Sequence, residues 1–218
     1  MQYLQTLHAY PSDDMKERKW TATMLNKCTQ ITQMNLEMNI LDVTPFITAL
    51  QDLSALVDLE MCCSEVWEIP PAFYNLHLPN LTRLDMDTLI CDSELPDLEY
   101  WLELHPTLTD LALEFESLEV FDKFRNVLFK CPALTVLQVN VGAESDEELE
   151  EQALYSFPFL PPTLQRFTWS PSSSLSILPA DHQLTHFHNK LIPNNLIRHQ
   201  TLVGLHTDWL ERFWPSIQ

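Results

Sequence analysis

One pattern of apolar and polar positions returns along most of the chain, with apolar residues spaced L-x-x-L-x-L. It is clearest at Leu108, Leu111 and Leu113, inside the run HPTLTDLALEF. Apolar positions that alternate over so short a run predict a strand with one buried face. The repeats begin at Leu4, Ile31, Leu56, Leu81, Leu108, Leu134 and Leu164, at spacings of 27, 25, 25, 27, 26 and 30 residues.

This spacing lies in or beside the period of roughly 20 to 29 residues that is typical of leucine-rich repeats, in which each unit supplies one strand and one helical or irregular return. A single unit cannot bury its own apolar face, so neighbouring units must stack. The sequence therefore predicts an α/β leucine-rich-repeat solenoid of about seven repeats, shaped like a horseshoe, with a parallel sheet on the concave face and helices or turns on the convex face.

The segments between the predicted strands carry helix signals. Thr44 followed by Pro45 predicts an N-cap with proline at the first helical position, and Ser93 is predicted to cap a second helix. Ser145 with Glu148 three residues later has the capping-box pattern. Apolar stripes are predicted to face the core at Phe46, Ile47, Leu50 and Leu53; at Leu95, Leu98 and Leu102; at Phe121, Phe124 and Leu128; and at Leu149, Ala153 and Leu154.

The repeats also divide the chain. Residues 1–171 are expected to form the repeat array, and residues 172–218 are expected to form degenerate C-terminal repeats or a cap, because LTHFH at Leu184 and LVGLH at Leu202 are poor copies of the pattern. The pattern is already running at Leu4 with no polar capping unit before it. The first repeat is therefore expected to be truncated, and the chain to be part of a longer protein or an incomplete gene model.

Charge and cysteine usage narrow the classes of function. The chain has 12 Lys and Arg against 31 Asp and Glu, a net charge of −19. Nucleic-acid phosphates and anionic lipids attach through Lys and Arg, so neither is an expected partner. No run of about 18 apolar residues predicts a membrane span. The five cysteines are odd in number and form no C-x-x-C motif, which favours reduced thiols in a cytoplasmic or nuclear protein.

The polar residues between the leucines of each strand should point away from the core, because side chains alternate along a strand. The third, fifth and seventh positions of the central repeats are Asp58, Glu60 and Cys62; Arg83, Asp85 and Asp87; and Asp110, Ala112 and Glu114. The third-position row, Asp58 beside Arg83 beside Asp110, should largely neutralise itself. Glu60 is expected to lie beside Asp85, and Asp87 beside Glu114, where like charges repel. We expect Glu60, Asp85, Asp87 and Glu114 to form an acidic patch that receives a basic segment of a partner, the alternative being that they are merely solvated.

Other candidate sites are weaker. The run ESDEELEE, residues 144–151, is interpreted as the solvent-exposed face of a helix, with acidic residues near its N-terminus that interact favourably with the helix dipole. His182, His186 and His188 lack a cysteine or carboxylate at ligand spacing, so no metal site is predicted. The chain has two glycines and no G-x-S-x-G, H-E-x-x-H or C-x-x-C motif, so neither a phosphate-binding loop nor a catalytic site is predicted, and no cofactor is implied.

The motifs LPNLTRLDM, HPTLTDLAL and CPALTVLQV resemble the irregular leucine-rich repeats that follow the F-box in many fungal F-box proteins, over about residues 1–171. The resemblance implies that the concave sheet recognises a substrate, while an F-box docks on the adaptor of a cullin-type ubiquitin ligase. No F-box-like segment is found in this sequence, so the adaptor is an expected partner only if an F-box lies upstream.

The expected function is therefore protein–protein interaction without enzymatic activity, as the substrate-recognition part of an F-box-type ubiquitin ligase subunit. Two alternatives stay open. One is a free-standing scaffold or inhibitor built of leucine-rich repeats with no ligase connection. The other is a metal-assisted enzyme that uses the carboxylate cluster.

Overall fold

The computed structural model describes residues 5–9, 25, 27–37, 44–62, 69, 71–142, 154–156, 160–171, 175–177, 186–189 and 205–206. The strands in these residues are β1 (Thr6–Ala9), β2 (Gln33–Glu37), β3 (Asp58–Cys62), β4 (Arg83–Ile90), β5 (Asp110–Phe115), β6 (Val136–Val141), β7 (Leu154–Ser156), β8 (Arg166–Pro171), β9 (Leu175–Ile177), β10 (His186–Asn189) and β11 (Leu205–His206). The described helices include α1 (Thr44–Leu50), α2 (Leu95–Glu103) and α3 (Leu118–Phe124), with 3-10 turns at Phe73–Asn75, Asp92–Glu94 and Val127–Lys130.

Nine of these strands lie side by side in one sheet, in the order β1-β2-β3-β4-β5-β6-β8-β10-β11. Each pairing in that sheet is parallel. β7 and β9 pair with each other in a separate two-stranded parallel sheet. Parallel neighbours need a crossover connection, and the returns that carry the helices supply it. The expectation of an α/β fold with a parallel sheet is confirmed.

A repeated hydrogen-bond pattern joins each strand to the one before it. The backbone carbonyl just before a strand accepts two amides from the equivalent place in the next unit, at 2.8 to 3.0 Å. The accepting residues are Gln5, Thr32, Val57, Thr82, Thr109 and Thr135. Three threonine hydroxyls, at Thr32, Thr82 and Thr135, donate to the same carbonyls at 3.2 to 3.3 Å, and the Thr109 hydroxyl oxygen lies 3.1 Å from the Thr82 carbonyl. The strands therefore begin at structurally equivalent points.

The turns that lead into four strands are also alike. In each, the amide of the first repeat leucine donates to the carbonyl three residues earlier, at 3.0 to 3.2 Å; these leucines are Leu81, Leu108, Leu134 and Leu164. The accepting residues, Leu78, His105, Cys131 and Pro161, are all buried and each precedes a proline. Because proline fixes its φ near the turn value, it favours this closure.

The helices begin close to the predicted places, with one change of cap. α1 begins at Thr44, with Pro45 second. Ser93 does not cap α2. Instead, Glu94 accepts the Cys91 amide at 2.9 Å in a capping box that closes the preceding 3-10 turn. α3 is capped by Ser117, whose Oγ accepts the Val120 amide at 3.3 Å.

One predicted helical residue is wrong. Leu154 lies in strand β7 and not in a helix, because its backbone pairs with Leu175 of β9. The predicted capping box of Ser145 and Glu148 and the predicted helical positions Leu149 and Ala153 lie outside the described residues. Leu4 and most of the C-terminal section, residues 172–218, also lie outside them, apart from β9, β10 and β11.

The core lies between the inner face of the sheet and the helical returns. The predicted apolar stripes of α1, α2 and α3 are buried in it. Trp101 of α2 stacks on Phe73, with ring centroids 5.1 Å apart. Phe115 of β5 contacts Phe121 and Phe124 of α3 at 5.4 and 5.0 Å. The aromatic side chains thus fill the space between the sheet and the helices. No described helix or strand covers the other face of the sheet.

Candidate protein-interaction face

The outer side of the sheet carries the polar positions of each strand. Along β3, β4 and β5 buried and part-exposed residues alternate, as expected for a sheet packed on one side. Leu59, Leu84 and Leu111 point into the core, and the residues between them point outward. We call the outward carboxylates Asp58, Glu60, Asp85, Asp87, Asp110 and Glu114, together with Arg83, the acidic face. All seven predicted site residues lie on it.

The first row of the acidic face is the predicted alternating ladder. The strand register places Asp58 beside Arg83 and Arg83 beside Asp110. The Arg83 guanidinium donates to both Asp58 carboxylate oxygens, at 2.9 and 3.2 Å, and to the Asp85 carboxylate at 2.9 Å. Asp110 instead accepts the Thr109 hydroxyl at 2.6 Å. Arg83 therefore neutralises one end of the row and also reaches into the second.

The second row places Glu60 directly beside Asp85, as predicted. Burial raises the pKa of the Asp85 carboxyl; the Arg83 guanidinium opposes that shift, while the negative charges of Glu60 and Asp87 reinforce it. The next position in this row is Ala112 of β5. Because alanine brings no charge, the repulsion between Glu60 and Asp85 is not relieved from that side.

The third row differs from the prediction. Leu89, and not Asp87, is the register partner of Glu114, because β4 has two extra residues between Asp85 and Leu89 and bulges there. An insertion of two residues keeps the alternation of faces, so Asp87 still points outward. The carboxyls of Asp87 and Glu114 are still close enough to interact. Burial raises the pKa of Glu114, and the hydrogen bond and negative charge of Asp87 raise it further.

Cys62 completes the third row on the β3 side. The register pairs it with Asp87, and its thiol donates to the Asp87 carboxylate at 3.5 Å. Cys62 and Glu114 are thus two side chains that interact with the exposed Asp87. They bring no positive charge.

A depression of about 370 Å³ lies in the middle of this surface. It is lined by Glu60, Asp85 and Asp87. It is also lined by three amide side chains that were not among the predicted site residues, Asn35, Gln138 and Asn140. The positions of these three residues in the sequence could have identified them. They occupy the fifth and seventh positions of the repeats that begin at Ile31 and Leu134, the same count that identified the carboxylates.

Positive charge is scarce on this surface. Six carboxylates face one guanidinium, and in the described part of the chain no Lys, Arg or His forms an ion pair with Glu60, Asp87, Asp110 or Glu114. An unpaired cluster of this kind can accept several N–H donors and positive charges, because each ionised carboxylate offers two acceptor oxygens.

The remaining candidates add little to this face. His186 and His188 lie in β10, where the backbone register pairs them with Arg166 and Thr168. His182 and the acidic run 144–151 lie outside the described residues. Among the described residues, no group of three or more His, Cys, Asp or Glu is arranged so that it could hold a metal ion.

A comparison of the chain with protein-family models and with curated proteins finds no match. In the residues that the structure describes, no helix combines the length and apolar character needed to cross a membrane.

Proposed function

We propose that this chain is a leucine-rich-repeat module that binds a basic segment of a partner protein on its acidic face. The observation that carries the proposal is the register of β3, β4 and β5. It gathers six carboxylates and one guanidinium on one uncovered side of the sheet.

The repeat class is supported by the equivalence of the units. Each of the seven predicted motifs is followed, two residues after its first apolar position, by the first residue of a strand in the main sheet, from Thr6 to Arg166. The shared carbonyl ladder and the shared turns repeat at the same intervals. Stacked units of this kind present one continuous sheet surface, which is the surface that solenoid proteins use for binding.

Charge complementarity supports the kind of partner. Glu60, Asp87 and Glu114 form no ion pair among the described residues, and like charges across neighbouring strands are destabilising by up to about 1 kcal/mol. Lys or Arg side chains of a partner would relieve this repulsion and would also speed association at low salt. A neutral or acidic partner would gain neither effect.

The test uses the full chain and a labelled ten-residue peptide that alternates Arg and Ser, with a Glu-Ser peptide as comparison. We expect the basic peptide to bind and the acidic one not to bind. The double variant Asp85→Asn with Asp87→Asn should weaken binding about tenfold, since exposed charge contacts contribute up to about 1 kcal/mol each. Fluorescence anisotropy at low and at physiological salt measures both effects.

The matched control is Asp52→Asn with Asp97→Asn. It removes the same two charges from exposed positions outside the acidic face. If the control and the Asp85 and Asp87 variant weaken binding equally, the effect belongs to net charge and the acidic face is not the binding site. Unchanged affinity in both variants would also overturn the assignment.

The ligase role is part of the same proposal and rests on the resemblance to fungal F-box proteins. In this role the acidic face holds the substrate, and an F-box encoded upstream docks on the cullin-type adaptor. Sequencing the native transcript upstream of Met1 tests this step. A reading frame that continues into a helical F-box supports the ligase role. A stop codon directly upstream leaves a free-standing recognition scaffold, whose peptide binding is unaffected by that result.

A further inference from the structure

His105 is a buried histidine at the junction of two repeats. It follows the last turn of α2, where its amide donates to the Leu102 carbonyl at 3.0 Å, and its own carbonyl accepts the Leu108 amide at 3.1 Å in the turn before β5. Its side chain is 1% exposed. The equivalent positions in the neighbouring units are Leu78 and Cys131, neither of which has an imidazole to titrate at this place.

Both ring nitrogens of His105 are engaged by backbone groups. The Leu78 amide lies 3.0 Å from Nε2, and the Trp101 carbonyl lies 2.7 Å from Nδ1. A backbone amide can only donate, so Nε2 must be the acceptor. The single ring proton of neutral histidine is then on Nδ1, which donates to Trp101. The geometry thus fits one tautomer of the neutral ring.

The surroundings of the ring would not stabilise the positive charge of a protonated imidazole. The imidazole stacks on the Trp101 ring with centroids 3.8 Å apart, and the His77 ring lies 5.9 Å away. His77 is the titratable neighbour that faces it, and its charge would repel an imidazolium. Within the described part of the chain, no carboxylate lies at ion-pair distance from His105; the exposed Glu99 and Glu103 of α2 pair with Lys130 instead.

We propose that His105 is an acid-sensitive lock between the turn that leads into β4 and the C-terminal end of α2. When Nε2 gains a proton, two N–H groups point at each other and the hydrogen bond from Leu78 is lost. The turn from Leu78 to Leu81 is then released from the helix. The strands that follow the turns at Leu78 and at His105, β4 and β5, carry Asp85, Asp87 and Glu114 of the acidic face.

The pKa of the ring follows from this buried geometry. Burial lowers the pKa of His105 below its ordinary value, and the Trp101 carbonyl only partly opposes that shift. Since the folded pKa lies below the unfolded one, the stabilisation is complete above about pH 6.5. It is lost as the pH falls below that value and through the folded pKa. Acid should therefore weaken this junction progressively as the pH falls below about 6.5.

The experiment compares urea unfolding of the full chain at pH 7.5 and at pH 5.5, in the wild type, in His105→Gln and in His77→Gln. Glutamine keeps one acceptor and one donor near Leu78 and Trp101 but does not titrate. Relative to His105→Gln, the unfolding equilibrium constant of the wild type should rise by up to about tenfold per pH unit between the folded pKa and 6.5. His77→Gln should keep most of the wild-type dependence. Equal pH dependence in the wild type and His105→Gln would overturn the lock.

A second measurement needs no variant and decides the matter if His105→Gln fails to fold. Long-range nitrogen–proton NMR of the wild type should show a neutral His105 with its proton on Nδ1 at pH 6.5. Exchange protection of the Leu78 amide, corrected for the intrinsic rate, should fall as that ring titrates at lower pH. A ring that titrates near 6.5 with no change at Leu78 contradicts the proposal.

Discussion

Among the described residues, five carboxylates on the helical side of the molecule form ion pairs with a lysine or arginine, whereas four of the six on the acidic face form none. On the helical side, Lys130 pairs with both Glu99 and Glu103, and Lys123 bonds Asp92 at 3.0 Å and Glu119 at 3.1 Å. On the acidic face, Arg83 pairs with Asp58 and Asp85, and the other four carboxylates have no ion pair among the described residues. Unpaired carboxylates therefore lie together on the uncovered side of the sheet.

The difference shows that, in the described part of the chain, carboxylates on the two surfaces are neutralised to different extents. Lys123 lies 31 residues after Asp92, and Lys130 lies 31 residues after Glu99, so these pairs join successive returns. Between successive strands, the ion pair among the described residues is that of Arg83 with Asp58. A surface on which several carboxylates repel one another without a paired cation is suited to a positively charged partner.

The largest expected change in stability comes from truncating a side chain in the core between the sheet and the helices. Leu113→Ala should lower the free energy of unfolding by about 3 kcal/mol, because the buried side chain leaves a cavity in the core. Its neighbour Glu114→Ala, on the outer side of the same strand, should change it by less than about 1 kcal/mol. Urea unfolding followed by tryptophan fluorescence measures both. Similar values for the two variants would show that the two sides of β5 are not separated as described.

A smaller loss of stability is expected from removing Glu94, a buried carboxylate on the helical side. Glu94 accepts the Ile69 amide at 2.7 Å and the Cys91 amide at 2.9 Å. Glu94→Ala leaves buried donors without an acceptor and should cost about 2 kcal/mol. Glu60→Ala on the acidic face is the control and should be close to neutral. If the two variants unfold at the same urea concentration, the contrast between structural and free carboxylates fails.

Removing a cation from each surface sharpens the comparison. Arg83→Gln uncovers Asp58 and Asp85, so we expect the Arg-Ser peptide to bind several-fold more tightly, equivalent to about 1 kcal/mol. Lys130→Gln removes the same charge from the helical side and should change the affinity much less. Anisotropy titrations at fixed ionic strength measure the two constants. An equal gain from both variants would mean that the peptide senses net charge and not the acidic face.

The smallest effect is a gain of stability on the acidic face itself. Because the folded pKa of Glu114 is raised, its stabilising contribution is present below its unfolded pKa and is lost as the pH rises through the folded value. Glu114→Gln should therefore stabilise the chain by a few tenths of a kcal/mol at pH 7. It should also reduce the gain that the wild type shows between pH 7 and pH 5. Asp110→Asn, in the self-neutralising row, is the control, and a stability loss in Glu114→Gln at pH 7 would contradict the repulsion.

Some parts of the site could be predicted from sequence and others could not. The outward rows followed from counting positions after the first leucine, since side chains alternate along a strand. The same count at Ile31 and Leu134 reaches Asn35, Gln138 and Asn140, so these residues were within reach. The bulge in β4 was not, because burial still alternates from Arg83 to Ile90 through the bulge, and an even insertion leaves that alternation unchanged.

By itself, the sequence determined the parallel α/β sheet, the start of its strands and the outward side of each, because periodicity is a local property of the chain. Only the tertiary structure decided which outward residues meet across strands, where Arg83 places its guanidinium and which tautomer His105 adopts. It also decided that Leu154 joins a strand, since Leu175, 21 residues away, supplies its partner. These features depend on groups brought together from distant parts of the chain, and their geometry is set by packing that no local pattern encodes.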